Sequence, residues 1–278
     1  MPSYTKSLIL CLLLFVFNGC NNKTLELEKK EPIKTKFVEL KTKSFESENQ
    51  YIILALESEN QKLYFDARNL YFKLFEKTDN YEYFVKYLAI STHIQDYKIV
   101  KEHALKYYKN NIKEEEIILR LYTFALFKLG NQKEALLNAQ KLANLFKGDV
   151  NYELLGTIYL QQKDYLKAYE FFEKSFVLNK SANTFLNLTN IQYFNLSQKT
   201  EAINKIEQYI KDNGHDFNLS IQLLTFYEKE QQTQKMVPLL KEMYFEYKKN
   251  KDNSESIENT ENNELEIFDK TKLLLTKY

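Results

Sequence analysis

Residue types that could perform catalysis or bind a metal are few in this 278-residue sequence, and their spacing does not assemble a site. The three histidines fall in separate stretches, away from any cysteine: His93, His103 and His215. Metal sites and phosphate-binding loops need ligands or glycines at short, regular spacing, which the sequence lacks. The acidic run at 114–116 fits a helix start, where the helix dipole favours carboxylates. The sequence therefore predicts no catalytic residue, metal, cofactor or small-molecule substrate, and the protein is not expected to be an enzyme.

The overall composition indicates an all-α protein that does not bind nucleic acid. The 39 basic and 38 acidic residues nearly balance, and Arg68 and Arg120 are the only arginines, whereas nucleic-acid readers rely heavily on arginine. There are 5 glycines and 3 prolines, where average usage would give about 20 and 14. Strands and tight turns need those residues and helices avoid them.

The two cysteines point to a modification and not to a redox or metal site. Cys11 lies inside an apolar run at 8–17, and Cys20 directly follows Gly19. The run is too short to span a bilayer as a helix, which takes about 20 residues, but it fits a secretory signal. The sequence before Cys20 resembles the bacterial lipobox, although the two residues before Gly19 depart from the usual pattern. The resemblance implies a lipoprotein signal peptide at 1–19 and a lipidated Cys20; the alternatives are an ordinary signal peptide and an uncleaved short anchor.

Residues 20–46 are predicted to tether the rest of the chain to a membrane. This stretch is rich in Lys, Glu, Thr and Asn, and no helical period persists in it. A flexible chain of that length has an end-to-end distance of roughly 25–30 Å. The predicted location is the bacterial cell envelope, facing the periplasm. Asn21, by analogy with lipoprotein sorting in enteric bacteria, favours the outer membrane.

A repeat occupies residues 47–249. One of its positions holds small or apolar residues at spacings of 33, 35, 33, 34 and 34: Ala67, Val100, Ala135, Ala168, Ala202 and Met236. A period near 34 is typical of stacked helical hairpins. Each hairpin should pair two helices of about 12–16 residues, such as 151–162 and 165–179. Polar residues are expected to cap the second helices: Asp96, Asn131, Asp164, Ser197 and Thr233.

The repeat resembles the tetratricopeptide repeat. Its fourth unit carries the clearest pattern: Tyr152, Leu155, Gly156, Tyr159, Ala168 and Phe172. Gly156 and Ala168 are expected to be small because two helices cross closely there. The first unit places corresponding residues at Tyr51, Leu54, Ala55, Ala67, Tyr71 and Leu74. The resemblance implies a right-handed α-solenoid of about six hairpins whose first helices line a concave groove for protein partners.

The geometry of that family places candidate peptide-binding side chains on the first helices. The third unit would present Arg120, Phe124, Phe127 and Lys128. The fifth would present Asn187, Ile191, Phe194 and Asn195, and the fourth Glu153, Thr157 and Gln161. Exposed Phe beside Arg and Asn suits a peptide, since aromatic rings supply burial and amides pair with a peptide backbone. The alternative is that some of these Phe fill gaps between neighbouring hairpins.

The C-terminal residues divide into a polar linker and a short amphipathic helix. Residues 250–263 are mostly Lys, Asn, Ser, Glu and Thr, which is typical of a linker. At 264–278, apolar residues such as Leu265, Phe268 and Leu275 fall on one helical face. Repeat arrays need a terminal cap, so this helix is predicted to cover the end of the array. The alternative is that it binds a partner.

Three classes of function remain open for the sequence. The favoured one is a lipid-anchored scaffold that binds proteins during assembly of an envelope complex. Its architecture resembles the pilotin lipoproteins of type IV pili, the lipoprotein of the outer-membrane β-barrel assembly machine, and a periplasmic protease adaptor. The second is a structural spacer or oligomer without a peptide ligand. The third is an enzyme or ligand carrier, which would need a closed polar pocket.

Overall fold

The computed structural model describes residues 45–110 and 115–253, which form twelve α-helices and no strand. The helices run in chain order: α1 Glu48–Asn60, α2 Tyr64–Thr78, α3 Tyr81–His93, α4 Tyr97–Asn110, α5 Glu116–Lys128, α6 Gln132–Leu145, α7 Asp149–Gln161, α8 Tyr165–Leu178, α9 Ala182–Phe194, α10 Lys199–Asn213, α11 Phe217–Lys229 and α12 Thr233–Asn253. Each of the six predicted repeats supplies two consecutive helices. The two helices predicted for the fourth repeat correspond to α7 and α8, with ends that differ by at most two residues.

The chain divides into two compact units, Met1–Leu129 and Gly130–Tyr278. Within the first unit, α1 packs on α2, α2 on α3, α3 on α4 and α4 on α5. Within the second, each of the helices from α6 to α12 packs on the next. The first helices of successive hairpins also touch, α3 with α5 and α9 with α11. Each unit is therefore built from local pairings between neighbouring helices.

The position that recurs about every 34 residues in the sequence lies in the core of both units. All six of its residues are buried, whether alanine or larger: Ala67, Val100, Ala135, Ala168, Ala202 and Met236. A small residue fits there where the second helix of a hairpin crosses the first at close range. In the fourth repeat, a Cβ added to Gly156 would lie 3.2 Å from Phe172 Cδ2 and 3.3 Å from the carbonyl oxygen of Ala168. The predicted close crossing at Gly156 and Ala168 is confirmed.

The turn inside each hairpin uses one residue in the left-handed conformation. These residues have φ between +56° and +78°, and each lies five positions before the buried repeat residue: Lys62, Gln95, Gly130, Lys163, Ser197 and Gln231. A left-handed residue reverses the chain after the first helix, and glycine adopts that conformation without strain. Glycine occupies one of the six positions, so the turn geometry and not the residue type defines the repeat.

The caps at these turns agree with the sequence in part. Asp164 accepts a hydrogen bond from the backbone N–H of Lys167 at 3.3 Å, and Asp96 accepts one from Ile99 at 3.5 Å. The prediction for Ser197 was wrong, because Ser197 takes the left-handed position and Gln198 precedes the helix. Thr233 is likewise the first helical residue of α12 and not its cap.

The first hairpin departs from the predicted pattern at Leu54. Leu54 was expected in the core, but its side chain is 55% exposed, while its neighbour Ala55 is fully buried. In the second and third hairpins, the side chains at this position contact rings of the preceding hairpin: Tyr87 meets Phe72 and Tyr122 meets Tyr108. Among the described residues no helix precedes α1, so Leu54 has no such partner.

Several predicted segments lie outside the described residues. They are the signal peptide at 1–19, the lipidated Cys20, the tether up to residue 44, the linker beyond residue 253 and the helix at 264–278. The last described helix, α12, continues to Asn253. None of the described helices combines the length and the apolar character that a membrane span requires.

Candidate peptide-binding surface

The first helices of the last three hairpins lie in the second unit and carry the best candidate surface. We call α7, α9 and α11 the first-helix layer. Tyr193 of α9 stacks on Phe226 of α11, with ring centroids 3.8 Å apart and planes 4° from parallel. This stacking contact aligns α9 and α11 by direct side-chain packing.

Phe194 is the large apolar side chain of α9 that is exposed to solvent. It is 51% exposed, although its ring meets Tyr193 at 4.8 Å and Phe226 at 5.6 Å, both edge-on. The ammonium of Lys229 on α11 lies 5.7 Å from the ring centroid. Asn195, the last residue before the turn, is exposed, and Asn187 is partly exposed. Phe194 and Asn195 are therefore exposed and Asn187 is partly exposed, and their binding to a partner stays a prediction.

Two of the predicted surface residues are packing residues instead. Ile191 is 2% exposed and Phe124 is 7% exposed. Phe124 on α5 meets Tyr97 on α4 edge-on, with centroids 6.0 Å apart, so it fills the space between two successive hairpins. This is the alternative that the sequence left open for some of these Phe, and it applies to Phe124.

The other candidates from the third repeat lie on α5 in the first unit. Arg120 pairs with Glu116 at 3.2 Å, one turn earlier on the same helix. Lys128 lies 5.2 Å from the ring centroid of Phe124, and its partial burial lowers its pKa. Phe127 is partly exposed. The structure therefore gathers Arg120, Phe127 and Lys128 on one helix, while the candidates from the fifth repeat lie on α9 of the second unit.

Glu153 has an environment that residue spacing did not reveal. Its pKa is raised to about 7, mainly by burial and also by the negative charge of Asp149, and a hydrogen bond from Thr184 partly opposes the rise. The sequence placed Glu153 on a first helix but did not indicate that its carboxyl is desolvated, because the desolvation depends on the neighbouring helix α9. The one sequence feature that could have indicated it is the absence of charged residues from α9.

Charge is distributed unevenly over the first-helix layer. Its three helices carry three carboxylates, Asp149, Glu153 and Glu228, and one cation, Lys229. Asp149 accepts a hydrogen bond from the amide of Asn179 at 2.8 Å. The layer thus combines an exposed aromatic ring with a small excess of negative charge.

The histidines make local contacts in the described part of the chain. Burial lowers the pKa of His103, whose Nδ1 lies 3.3 Å from the hydroxyl of Tyr87. His215 lies 3.3 Å from both Ser220 Oγ and Glu242 Oε2. Among residues 45–110 and 115–253, no three side chains of the types that bind metals lie close enough to hold an ion together.

No protein-family model matches this chain. No curated protein sequence matches it either.

Solved structures do share its fold. A tetratricopeptide repeat protein from Parabacteroides merdae superposes with a TM-score of 0.57 at 14% identity, over 72% of this chain and 80% of that chain. PilF from Pseudomonas aeruginosa superposes with a TM-score of 0.56 at 17% identity, over 73% and 92% of the two chains. TTC0263, a tetratricopeptide repeat protein from Thermus thermophilus, gives a TM-score of 0.50 at 11% identity, over 64% and 98%.

These likenesses define the class of fold. The described residues form an all-α array of helical hairpins of the tetratricopeptide type, which confirms the predicted fold class. At these identities the likeness extends to the fold and not to a partner or a pathway.

Proposed function

We propose that this protein is a lipid-anchored interaction scaffold of the bacterial cell envelope, which binds a segment of a partner protein on its first-helix layer. Arrays of helical hairpins lend themselves to such binding because each repeat presents side chains to the same surface. No covalent chemistry is required of the chain. The anchor would be the lipid on Cys20, and the predicted location is the periplasmic side of a membrane, with the outer membrane favoured.

The observation that carries the proposal is the exposure of Phe194. A large aromatic ring that stays half exposed, while packed at its edges by Tyr193 and Phe226, is held in a fixed orientation. Rigid exposed aromatics of this kind are typical centres of binding energy at protein interfaces. Asn187 and Asn195 on the same helix add amides that can pair with a peptide backbone.

The test is a crosslinking pull-down from intact cells of the source bacterium. The wild-type protein is compared with Phe194→Glu, which places a charge at the centre of the surface. Phe65→Glu is the matched control, because Phe65 is also an exposed Phe beside a cation, Arg68, but lies on a second helix. Partners that are recovered with wild type and Phe65→Glu and lost with Phe194→Glu would support the proposal. Recovery of the same partners by all three proteins, or of none, would overturn it and favour a structural spacer.

The anchor has its own test. Cells are fed an alkyne-labelled fatty acid, and the protein is isolated and examined for label. The wild-type protein and Cys11→Ser should carry the label, while Cys20→Ser should not. An unlabelled wild-type protein would contradict lipid anchoring without affecting the proposed binding surface.

A further inference from the structure

The first helix, α1, exposes three large apolar side chains on one face. Ile53 is 65% exposed, Leu54 is 55% exposed and Leu56 is 47% exposed, and all three lie on the side of α1 opposite the fully buried Ala55. We call these three residues the outer face of α1. The terminal unit of a repeat array normally turns a polar face outward. An apolar face at this place therefore indicates that something covers it.

The same face is buried in the later hairpins. At the position of Leu54, each of the five later hairpins carries a side chain that is at most 5% exposed: Tyr87, Tyr122, Leu155, Thr189 and Leu223. At the position of Ile53, three of them carry a buried leucine: Leu121, Leu154 and Leu188. The outer face of α1 is thus a regular repeat surface that lacks its cover among the described residues.

The cover of the later hairpins comes from the chain that precedes each of them. In the second hairpin, Phe72 of α2 meets Tyr87 with ring centroids 4.7 Å apart. In the third, Tyr97 of α4 meets Phe124, which occupies the position of Leu56, at 6.0 Å. In both cases an aromatic side chain from the preceding element packs on the first helix. The outer face of α1 is therefore suited to an aromatic residue from the chain that precedes it.

The sequence just before α1 contains such a residue among other apolar ones. Residues 33–43 include Ile33, Phe37, Val38 and Leu40. Over this short stretch Ile33, Phe37 and Leu40 are spaced by four and three residues, a spacing that puts side chains on one face of a helix. The segment 33–43 can thus present an apolar face with an aromatic ring at its centre.

The charges of the two segments are complementary. The helix α1 carries three carboxylates and no lysine or arginine: Glu48, Glu57 and Glu59. Lys86 of α3 lies 3.3 Å from Glu59, whereas Glu57 is exposed and is hydrogen-bonded by a neutral amide. Lys73 of α2 contacts the hydroxyl of Tyr51 at 2.6 Å. Residues 33–43 bring one carboxylate, Glu39, and four lysines: Lys34, Lys36, Lys41 and Lys43. The C-terminal residues 264–278, by contrast, carry equal numbers of acidic and basic residues.

The position and length of the segment also suit the outer face. Phe45, two residues after the segment, already contacts α1: its carbonyl accepts a hydrogen bond from the backbone N–H of Glu48 at 3.0 Å, and its ring meets Tyr51 edge-on at 5.6 Å. The 13 residues of α1 span about 20 Å. Residues 33–43 span about 16 Å as a helix and up to about 36 Å when extended, so they can run along the whole of α1.

We propose that residues 33–43 pack on the outer face of α1, with Phe37 against its apolar side chains and the lysines beside the carboxylates of α1. The segment then covers the first hairpin as α2 and α4 cover the hairpins that follow them. This inference goes beyond the proposed function and does not depend on partner binding. It leaves residues 20–32 as the free tether, which spans roughly 20 Å, and so brings the array closer to its anchor.

The experiment is photocrosslinking within the full chain in intact cells of the source bacterium. A photoreactive amino acid replaces Ile53 on the outer face of α1, or Leu166, which is exposed on α8. Two copies of the protein with different affinity tags are expressed together, so that a link between copies carries both tags. After irradiation, linked peptides are identified by mass spectrometry. Phe37→Gln tests the segment, and Leu25→Gln is the matched control because it removes an apolar side chain upstream of residue 33.

The expected product is a link from position 53 to residues 33–43 of the same chain, with the mass of a monomer. Position 166 should give no link to that segment. Phe37→Gln should lower the linked fraction about tenfold, since the apolar contact of the ring is lost, and Leu25→Gln should leave it unchanged.

Three outcomes would overturn the proposal. A product that carries both tags would show that a second copy covers the outer face of α1. A link from position 53 to another protein, without one to residues 33–43, would assign the face to a partner. An equal linked fraction in wild type and Phe37→Gln would show that the segment does not pack through its apolar side chains. None of these outcomes bears on binding at Phe194, so the two proposals fail separately.

Discussion

The hydroxyl of Tyr227 donates a 2.6 Å hydrogen bond to Oε1 of Glu207, and the ammonium of Lys235 lies 2.7 Å from the same oxygen. Lys235 also lies 5.4 Å from the centroid of the Tyr227 ring, so each of the three side chains contacts the other two. They come from three consecutive helices, α11, α10 and α12. The arrangement therefore ties the fifth hairpin to the sixth through a charged hydrogen-bonded cluster.

This cluster recurs along the chain. Two further sets make the same three contacts, one in each unit: Tyr71, Glu59 and Lys86, and Tyr193, Glu230 and Lys199. Tyr193 and Tyr227 lie in the last turn of a first helix, beside the hairpin turn, whereas Tyr71 lies midway along the second helix α2. The recurrence indicates a common means of joining neighbouring helices.

Replacing Tyr227 with Phe should lower the free energy of unfolding by about 1–1.5 kcal/mol, because a hydrogen bond to a charged acceptor is lost. Urea denaturation at pH 7 measures the change. Tyr165→Phe is the control, since Tyr165 makes no side-chain contact of this kind, and it should stay within about 0.5 kcal/mol of wild type.

The effect of Tyr227→Phe should also depend on pH. Burial acts to raise the pKa of Glu207, but the bonds from Lys235 and Tyr227 outweigh it and lower the pKa. A carboxyl whose pKa is lowered by folding stabilises the folded state above its unfolded pKa and loses that contribution as pH falls. The difference between wild type and Tyr227→Phe should therefore shrink in acid. A difference that grows below pH 4 would contradict the assigned role of Glu207.

The left-handed turn residue at Lys163 offers a route to higher stability. Its φ of +64° strains a residue that has a Cβ, whereas glycine adopts this conformation freely. Lys163→Gly should raise the free energy of unfolding by about 0.5–1 kcal/mol, after the entropy that glycine adds to the unfolded chain. Lys163→Ala should give no such gain. Thermal unfolding of the two variants shows whether the gain in stability comes from relief of backbone strain or from loss of the lysine side chain.

The close helix crossing at Gly156 should tolerate no branched side chain. Gly156→Val would push against the Phe172 ring and the Ala168 carbonyl, and should destabilise the fold by about 1–3 kcal/mol. Gly148→Ala is the control, because its added Cβ would lie 3.6 Å from Asn151 Nδ2, an ordinary contact. Equal stability of the two variants in urea would show that the helices do not cross as closely as described.

Glu153 should make the fold less stable at alkaline pH. Its pKa is raised by folding to about 7, so the folded state binds a proton more tightly than the unfolded chain does. The stabilisation is complete below the unfolded pKa, near 4.5, and is lost as pH rises through 7. Glu153→Gln should therefore be more stable than wild type at pH 8, by on the order of 2 kcal/mol, and should differ little from it at pH 4. Urea denaturation at pH 4 and pH 8 measures the two stabilities. If stability changes equally with pH in wild type and Glu153→Gln, the raised pKa of Glu153 is contradicted.

The repeat positions show how much of the fold can be predicted from sequence. Ala67, Ala168 and Ala202 were predictable because a small buried residue tends to recur where two helices cross closely. The left-handed turn residues were not, since Lys62, Gln95 and Lys163 are ordinary helix residues whose conformation is imposed by the hairpin. Leu54 was misplaced because burial at that position depends on a preceding hairpin and not on the repeat itself.

The candidate surface was predictable in part for a similar reason. Helical spacing places Phe124, Ile191 and Phe194 on first helices, but spacing cannot tell which ring a neighbouring helix will cover. Tyr97 covers Phe124, while Phe194 remains open. The environment of Glu153 depends on Thr184, which lies on the next hairpin, 31 residues later in the chain.

Site-specific photocrosslinking in cells tests the central claim most directly. A photoreactive amino acid replaces Asn195, which is exposed beside Phe194, or Leu166, which is exposed on the second helix α8. The account predicts a discrete protein adduct at position 195 that disappears when Phe194→Glu is added, and no such adduct at position 166. Adducts of equal yield at both positions, or an adduct at 195 that survives Phe194→Glu, would contradict binding by the first-helix layer.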